Sequence, residues 1–238
     1  MIFARPSFSV RSSAKLTPRA SSSPPIARIF VYLWLDVKLP SYTSLYASSA
    51  RAFSSARSAA SAAIADAFAA AQDSDEVKIL VAGTYKVPSG KNITITGAVD
   101  GVVFDNIGAH NMGGASMTFN NVTFDYYPNV NYTGLQHSGN LVYNNCTING
   151  QVFLYGTSEI FNNCTFNQNS RDAYNVWTYS AKEVEFNNCT FNSAGKSVLI
   201  YHENASVTND VSVTGCEFNA SSAVDGKAAI EMDSSLQG

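Results

Sequence analysis

The chain has 238 residues, enough to bury a substantial core as one domain or two. Charged residues make up 14% of it, well below the usual quarter, while the 45% hydrophobic content is ordinary. The net charge of −3 hides an asymmetry: residues 1–65 hold eight Lys or Arg against Asp36 alone, and the acidic remainder carries −10. That remainder has no basic stripe to neutralise phosphates, which argues against nucleic acid as a partner.

The first 55 residues read differently from the rest. Pro6, Pro18, Pro24, Pro25 and Pro40 lie there among Ser, Ala and Arg, and no helical or strand period is sustained. Three readings fit this stretch: a disordered leader, an organelle transit peptide (Arg- and Ser-rich, acid-poor), and a secretory signal with Ile29 to Leu35 as its apolar core. The apolar run is too short to span a bilayer, so no membrane span is expected. From Ala56 to Gln72 an Ala-dominated segment places Ile64 and Phe68 four apart, the spacing of a short amphipathic helix. A strand at Val77–Val81 and a run of short strands at Gly and Pro turns up to Gly97 follow. Helix and strands together suit the capped start of a solenoid, shielding its open edge.

From there one unit repeats: Phe119-Asn-Asn-Val-Thr-Phe124, Tyr143-Asn-Asn-Cys-Thr-Ile148, Phe161-Asn-Asn-Cys-Thr-Phe166, Phe186-Asn-Asn-Cys-Thr-Phe191 and Val213-Thr-Gly-Cys-Glu-Phe218. Its fourth positions, Val122, Cys146, Cys164, Cys189 and Cys216, are 24, 18, 25 and 27 residues apart, one three-faced coil each with insertions in the loops. The third position is Asn four times and then Gly, the two residues that accept a left-handed backbone most easily. Such a residue reverses strand parity, so the first, fourth and sixth positions face inward and the fifth faces out. A second strand family follows: Val152-Phe-Leu-Tyr155, Val176-Trp-Thr-Tyr179, Val198-Leu-Ile-Tyr201 and Ala229-Ile-Glu-Met232. The Glu in the third column assigns that column outward. Phe153, Trp177, Leu199 and Ile230, with Tyr155, Tyr179, Tyr201 and Met232, are then expected to face in.

The Gly83-Thr-Tyr opening with Pro88-Ser-Gly-Lys-Asn-Ile-Thr-Ile-Thr-Gly97, together with the Phe-Asn-Asn-Cys-Thr-Phe ladders, resembles the parallel β-helix repeat proteins of the pectate-lyase-like superfold. It is most similar to those of bacterial surfaces and phage tails. The resemblance covers roughly residues 60–238 and implies an all-β fold: a right-handed parallel β-helix (β-solenoid) with a short N-terminal capping helix. The domain expectation is a leader at 1–55 and a β-helix at 56–238. The chain ends directly after a core strand, so a continuation or a second subunit is expected over the last coil. For activity the superfold is uninformative, since it hosts lyases, hydrolases, tailspikes, adhesins and inert stalks.

Most chemical-looking residues have a structural reading. The four cysteines share one column with Val122 and read as a stack of free thiols, with a Cys164–Cys189 bridge as the alternative. Neither they nor His110, His137 and His202 have zinc spacing, and no metal or cofactor is expected. Eight Asn-x-Ser/Thr sequons occur, four of them at the left-handed position itself, where the sequon is a by-product of the repeat. Exposed aromatics that could stack on sugars are Tyr126, Tyr127 and Tyr132 in a long inter-ladder segment, with Trp177 as a further ligand-binding candidate. The nearest approach to an acid–base group is Arg171 and Asp172 with His202 and Glu203, near Lys196, Asp225 and Asp233; the two pairs sit at opposite ends of their strands. The functional expectation is a non-catalytic extracellular or cell-surface scaffold that contacts polysaccharide or surface glycan, adhesin-like. The alternative is a polysaccharide lyase or glycoside hydrolase working in a groove of the helix.

Overall fold

The computed structural model describes residues 11–14, 28–34, 45–105, 115–126, 134–201 and 210–233, with side-chain surroundings from Ser58 onward. Three parallel sheets stack coil upon coil. The first takes Glu76–Ile79, Thr94–Gly97, Ser116–Asn120, Asn140–Asn144, Ser158–Asn162, Glu183–Asn187 and Asp210–Thr214 in that order. The second takes Gly83–Tyr85, Val102–Phe104, Thr123–Tyr126, Thr147–Gly150, Thr165–Asn167, Thr190–Ser193 and Glu217–Ala220. Among the described residues the third holds five strands: Leu135–His137, Val152–Leu154, Val176–Trp177, Val198–Ile200 and Ile230–Met232. The chain is an all-β parallel β-helix with one N-terminal helix, α1, over Leu45–Ala70.

The corner between the first and second sheets follows the repeat. Asn121, Asn145, Asn163 and Asn188 have φ of 53–55° and Gly215 has 65°. This left-handed residue turns the chain without losing the ladder, because its N–H donates to the next coil: Asn145 to Asn162 O at 2.9 Å and Asn163 to Asn187 O at 2.8 Å. Parity reverses there as expected. Phe119, Tyr143, Phe161 and Phe186 lie inside before the corner, and Phe124, Ile148, Phe166 and Phe191 lie inside after it. The rings stack in register, Tyr143 on Phe161 at 4.3 Å and Phe166 on Phe191 at 4.7 Å. Such near-parallel pairs add to the burial of each ring.

The cysteines are free thiols, and Cys146, Cys164 and Cys189 are buried. Each thiol reaches a backbone carbonyl one coil back, as Cys164 Sγ does to Tyr143 O at 3.5 Å and Cys216 Sγ to Phe186 O at 3.3 Å. The neighbouring Cys146 thiol pushes Cys164 up to about 12, and burial raises Cys216. At Cys146 burial raises the thiol, but hydrogen bonds with Cys164 and with the backbone outweigh it and lower its value. On the outside, amide ladders run along two columns. Asn144, Asn162 and Asn187 each donate Nδ2 to the Oδ1 one coil before, at 2.9–3.1 Å. Asn167, Asn192 and Asn219 repeat the arrangement on the second sheet at 2.8–3.2 Å.

Helix α1 covers the first coils with the face expected: Ile64 and Phe68 are buried, and Phe68 meets Phe104 at 6.4 Å. Lys91 Nζ donates to Ala69 O and Ala71 O, neutralising the carbonyl end of the helix. The helix begins at Leu45 rather than Ala56, because the intervening Ala, Ser and Arg residues continue its propensity. Strand Arg28–Trp34 adds in parallel to the edge of the first sheet beside Glu76–Ile79, and Arg11–Ala14 pairs antiparallel with it. A run of β-branched and aromatic residues beside an open sheet edge favours that pairing over the expected absence of strand structure. No helix among the described residues is long and apolar enough to cross a membrane.

The corner rule has a direct test. Asn163→Val should lose about 1–2 kcal/mol to left-handed strain, while Asn163→Gly should melt close to wild type. Phe166→Ala should lose about 3–5 kcal/mol through the cavity between stacked rings. Denaturant melts of the three variants give the ordering.

Candidate functional site

The third sheet corrects the expected orientation of the second strand family. Its last strand pairs Ile230, Glu231 and Met232 with Val198, Leu199 and Ile200, one residue away from the alignment read from sequence. Glu231 therefore belongs to the second column, with Gln136, Phe153, Trp177 and Leu199, and that column is the one that faces out. Val152, Leu154, Val176 and Val198 join the main core instead. Phe153, Trp177 and Leu199 form a second apolar cluster with Tyr174 on the sheet's outer side, and Tyr155, Tyr179 and Tyr201 pack against it.

The three tyrosines lie at the ends of successive strands and are half-buried. Tyr155 and Tyr179 have ring centroids 4.7 Å apart and Tyr179 and Tyr201 5.2 Å, with interplanar angles of 53° and 42°. They make a ridge of ring edges and faces along about 10 Å of the solenoid, two inter-strand spacings. Trp177 supports it from beneath, 5.4 Å from Tyr201 and 5.6 Å from Phe153. Tyr179 holds φ of 42°, a conformation costly for an aromatic residue and of the kind that clusters at ligand sites.

Gln151 fixes the support. It is fully buried, and its Oε1 accepts both the Trp177 indole N–H and the Tyr174 backbone N–H at 2.9 Å. Tyr174 stands perpendicular to Trp177 at 5.7 Å. The Lys196 ammonium lies over the Tyr174 ring at 4.8 Å. Partial burial, with a contribution from Lys227, lowers Lys196 from the usual lysine value, while Asp172 and Glu231 act in the opposite direction. Lys227 pairs with Glu231 at 2.9 Å, which raises the lysine. One flank of the cluster thus carries a group of mixed charge.

The sequence candidates separate on this frame. Trp177 is 7% exposed, so it is the support of the ridge and not its contact surface. Tyr126 packs against the main core. Arg171 and Asp172 are exposed; Arg171 Nη2 donates to Ala223 O at 3.0 Å, and Asp172 acts electrostatically on Lys196. Tyr127, Tyr132, His202 and Glu203 lie outside the described residues. Asp225 is exposed and Asp233 half-buried. Gln151 and Tyr174 carried no sequence signal of their own; the tyrosine column did, once placed on the outer face. Among the described residues no group of three or more His, Cys, Asp or Glu could hold a metal ion. The chain matches no family model, no curated protein and no solved structure.

Replacing Gln151 by Leu removes one acceptor and leaves two N–H donors unpaired in a closed site. A loss of about 1–3 kcal/mol is expected, together with a shift in tryptophan emission as Trp177 loses its bond. Denaturant melts followed by fluorescence report both at once.

Proposed function

We propose that the protein is a glycan-contacting β-helix scaffold of the extracellular or cell-surface kind, and that Tyr155, Tyr179 and Tyr201 form its contact ridge. The observation that carries this reading is the outward aromatic cluster. A sheet face exposed to water ordinarily carries polar residues, as the amide columns do on the other two sheets. The third sheet instead spends Phe153, Trp177 and Leu199 on supporting three half-exposed phenol rings. Tyrosine offers an apolar face and a hydroxyl at little entropic cost, which suits the C–H faces and hydroxyls of sugars. The low charge of the chain favours the same partners.

A second reading is polysaccharide cleavage. It draws on Lys196, an amine lowered by partial burial beside Tyr174, Asp172 and the Lys227–Glu231 pair. An amine with a reduced pKa is a candidate general base. Oligosaccharide release from a polysaccharide panel, lost in Lys196→Ala, would move the ridge from binding platform to substrate cleft.

For the binding reading, the chain is applied to a glycan array and the best ligand titrated by calorimetry. Tyr179→Ala and Tyr201→Ala should each weaken binding at least tenfold, about 1.4 kcal/mol, whereas Thr147→Ala on the second sheet should leave it unchanged. Binding that survives both tyrosine changes, or no binding to any glycan, overturns the assignment.

A further inference from the structure

We infer that the buried carboxyl of Glu159 is a proton-gated latch on the corner that carries Tyr155, closing that corner while protonated and releasing it when ionised. Glu159 occupies an inward column of the first sheet whose other members are Met117, Leu141, Val184 and Val211. It is fully buried. Its Oε1 accepts the Gly156 N–H at 2.7 Å, and its Oε2 is buried with no hydrogen-bond partner among the described residues.

The corner it grips runs from Tyr155 to Thr157, between the third sheet and the next strand of the first. Tyr155 N–H donates to His137 O at 2.7 Å, Thr157 N–H to Gly139 O at 3.0 Å, and Gly156 O accepts from Lys182 at 3.1 Å. A side chain at Gly156 would fall 2.3 Å from Gly139 O and 2.5 Å from the Glu159 carboxyl, so the carboxyl is seated directly against the backbone. This is the corner of the shortest coil, the 18-residue interval between Cys146 and Cys164. Tyr155, its first residue, rests on Tyr179 in the aromatic ridge.

The groups facing Glu159 supply little to stabilise a charge. Leu141 and Val184 flank it within the sheet. Two residues along the adjacent strand of the same sheet stands Tyr143, whose hydroxyl bonds His137 Nδ1 at 2.7 Å and on which the Cys146 and Cys164 thiols also act. Tyr143 is itself raised by burial and further by Glu159. The neighbouring corner contributes the buried Ala181 and the backbone N–H of Lys182, whose side chain is exposed. Burial raises Glu159 well above the ordinary carboxyl value, partly offset by the Gly156 and Tyr155 amides.

The sign follows from linkage. The closed corner binds the proton more tightly than an open, hydrated one, so its advantage is complete below about pH 4.3 and declines as pH rises. The decline is up to tenfold per pH unit until the carboxyl ionises in the closed state as well. On ionisation the proton leaves to solvent, and the carboxylate gains hydration only if the corner opens.

Amide hydrogen exchange on the full chain between about pH 5 and 8, corrected for the intrinsic rate, tests the latch. In the wild type, protection at Gly156 and Thr157 should fall as pH rises, by up to tenfold per unit, while the strand Thr165–Asn167 holds. Glu159→Gln should abolish the slope. Glu159→Leu, which copies Leu141 in the same column, should also be flat but should leave the Gly156 amide fast at every pH, its acceptor gone. A flat wild type, or the same slope in wild type and both variants, overturns the proposal. No ligand enters the readout, so its failure leaves the glycan reading standing, and the reverse.

Discussion

The left-handed residue at the corner between the first two sheets is the constraint on which the rest of the solenoid depends. Without it a strand running from one sheet into the next would keep its parity and present its rings alternately inside and out around the bend. With it, Phe161 and Phe166 both point inward although five positions separate them, and the coil closes on an aromatic core from two sides. The same reversal leaves the carbonyl before the corner facing the column that cysteine fills. A thiol donates to it weakly, and valine, in the first of the five aligned units, does without. Small size, buried position and a weak donor account for the cysteines together, with no appeal to redox or metal chemistry.

Stacking identical coils then propagates every choice along the axis. An Asn placed outward on one strand meets an Asn on the next, and their amides form a chain in which each donates and accepts. Aromatic rings inside do likewise. This is why a few side-chain types recur in fixed columns, and why an unlike residue in a column is informative. Glu159 among Met, Leu and Val residues is such an exception, and Glu231 below Leu199 is another.

Legibility followed the strength of this periodicity. The corner asparagines and the inward rings could be read from five aligned units, since each position was sampled by several substitutions. The third sheet had only four short strands in the sequence alignment, and its last member carried the decisive residue. Placing Ala229 opposite Val198 put Glu231 in the wrong column, and because side chains alternate, a one-residue slip inverted the whole face. The wrap of Tyr174 and Gln151 over the cluster depends on a loop with no repeat to reveal it. Glu159 was within reach: extending the unit three residues upstream sets Ser158-Glu159-Ile160 beside Asn140-Leu141-Val142, and a carboxyl group then stands in an apolar column.

The location of the aromatic ridge follows from what the other two faces do. The first and second sheets meet water with asparagine columns whose amide hydrogen bonds run coil to coil and satisfy one another. The third sheet, whose first described strand is Leu135–His137, has loops long enough between Phe166 and Val176 and between Phe218 and Ile230 to fold beside its outer face. Those loops, with the turn before Val198 that carries Lys196, bring Tyr174, Lys196 and Lys227, paired with Glu231, to one flank beside the half-buried tyrosines. An outer face that is both apolar and incompletely roofed costs solubility unless it is used. Its strained member, Tyr179, would be the easiest residue to replace by glycine or asparagine on conformational grounds alone. That a tyrosine stands there points to the ring, not the backbone, as what the position is for.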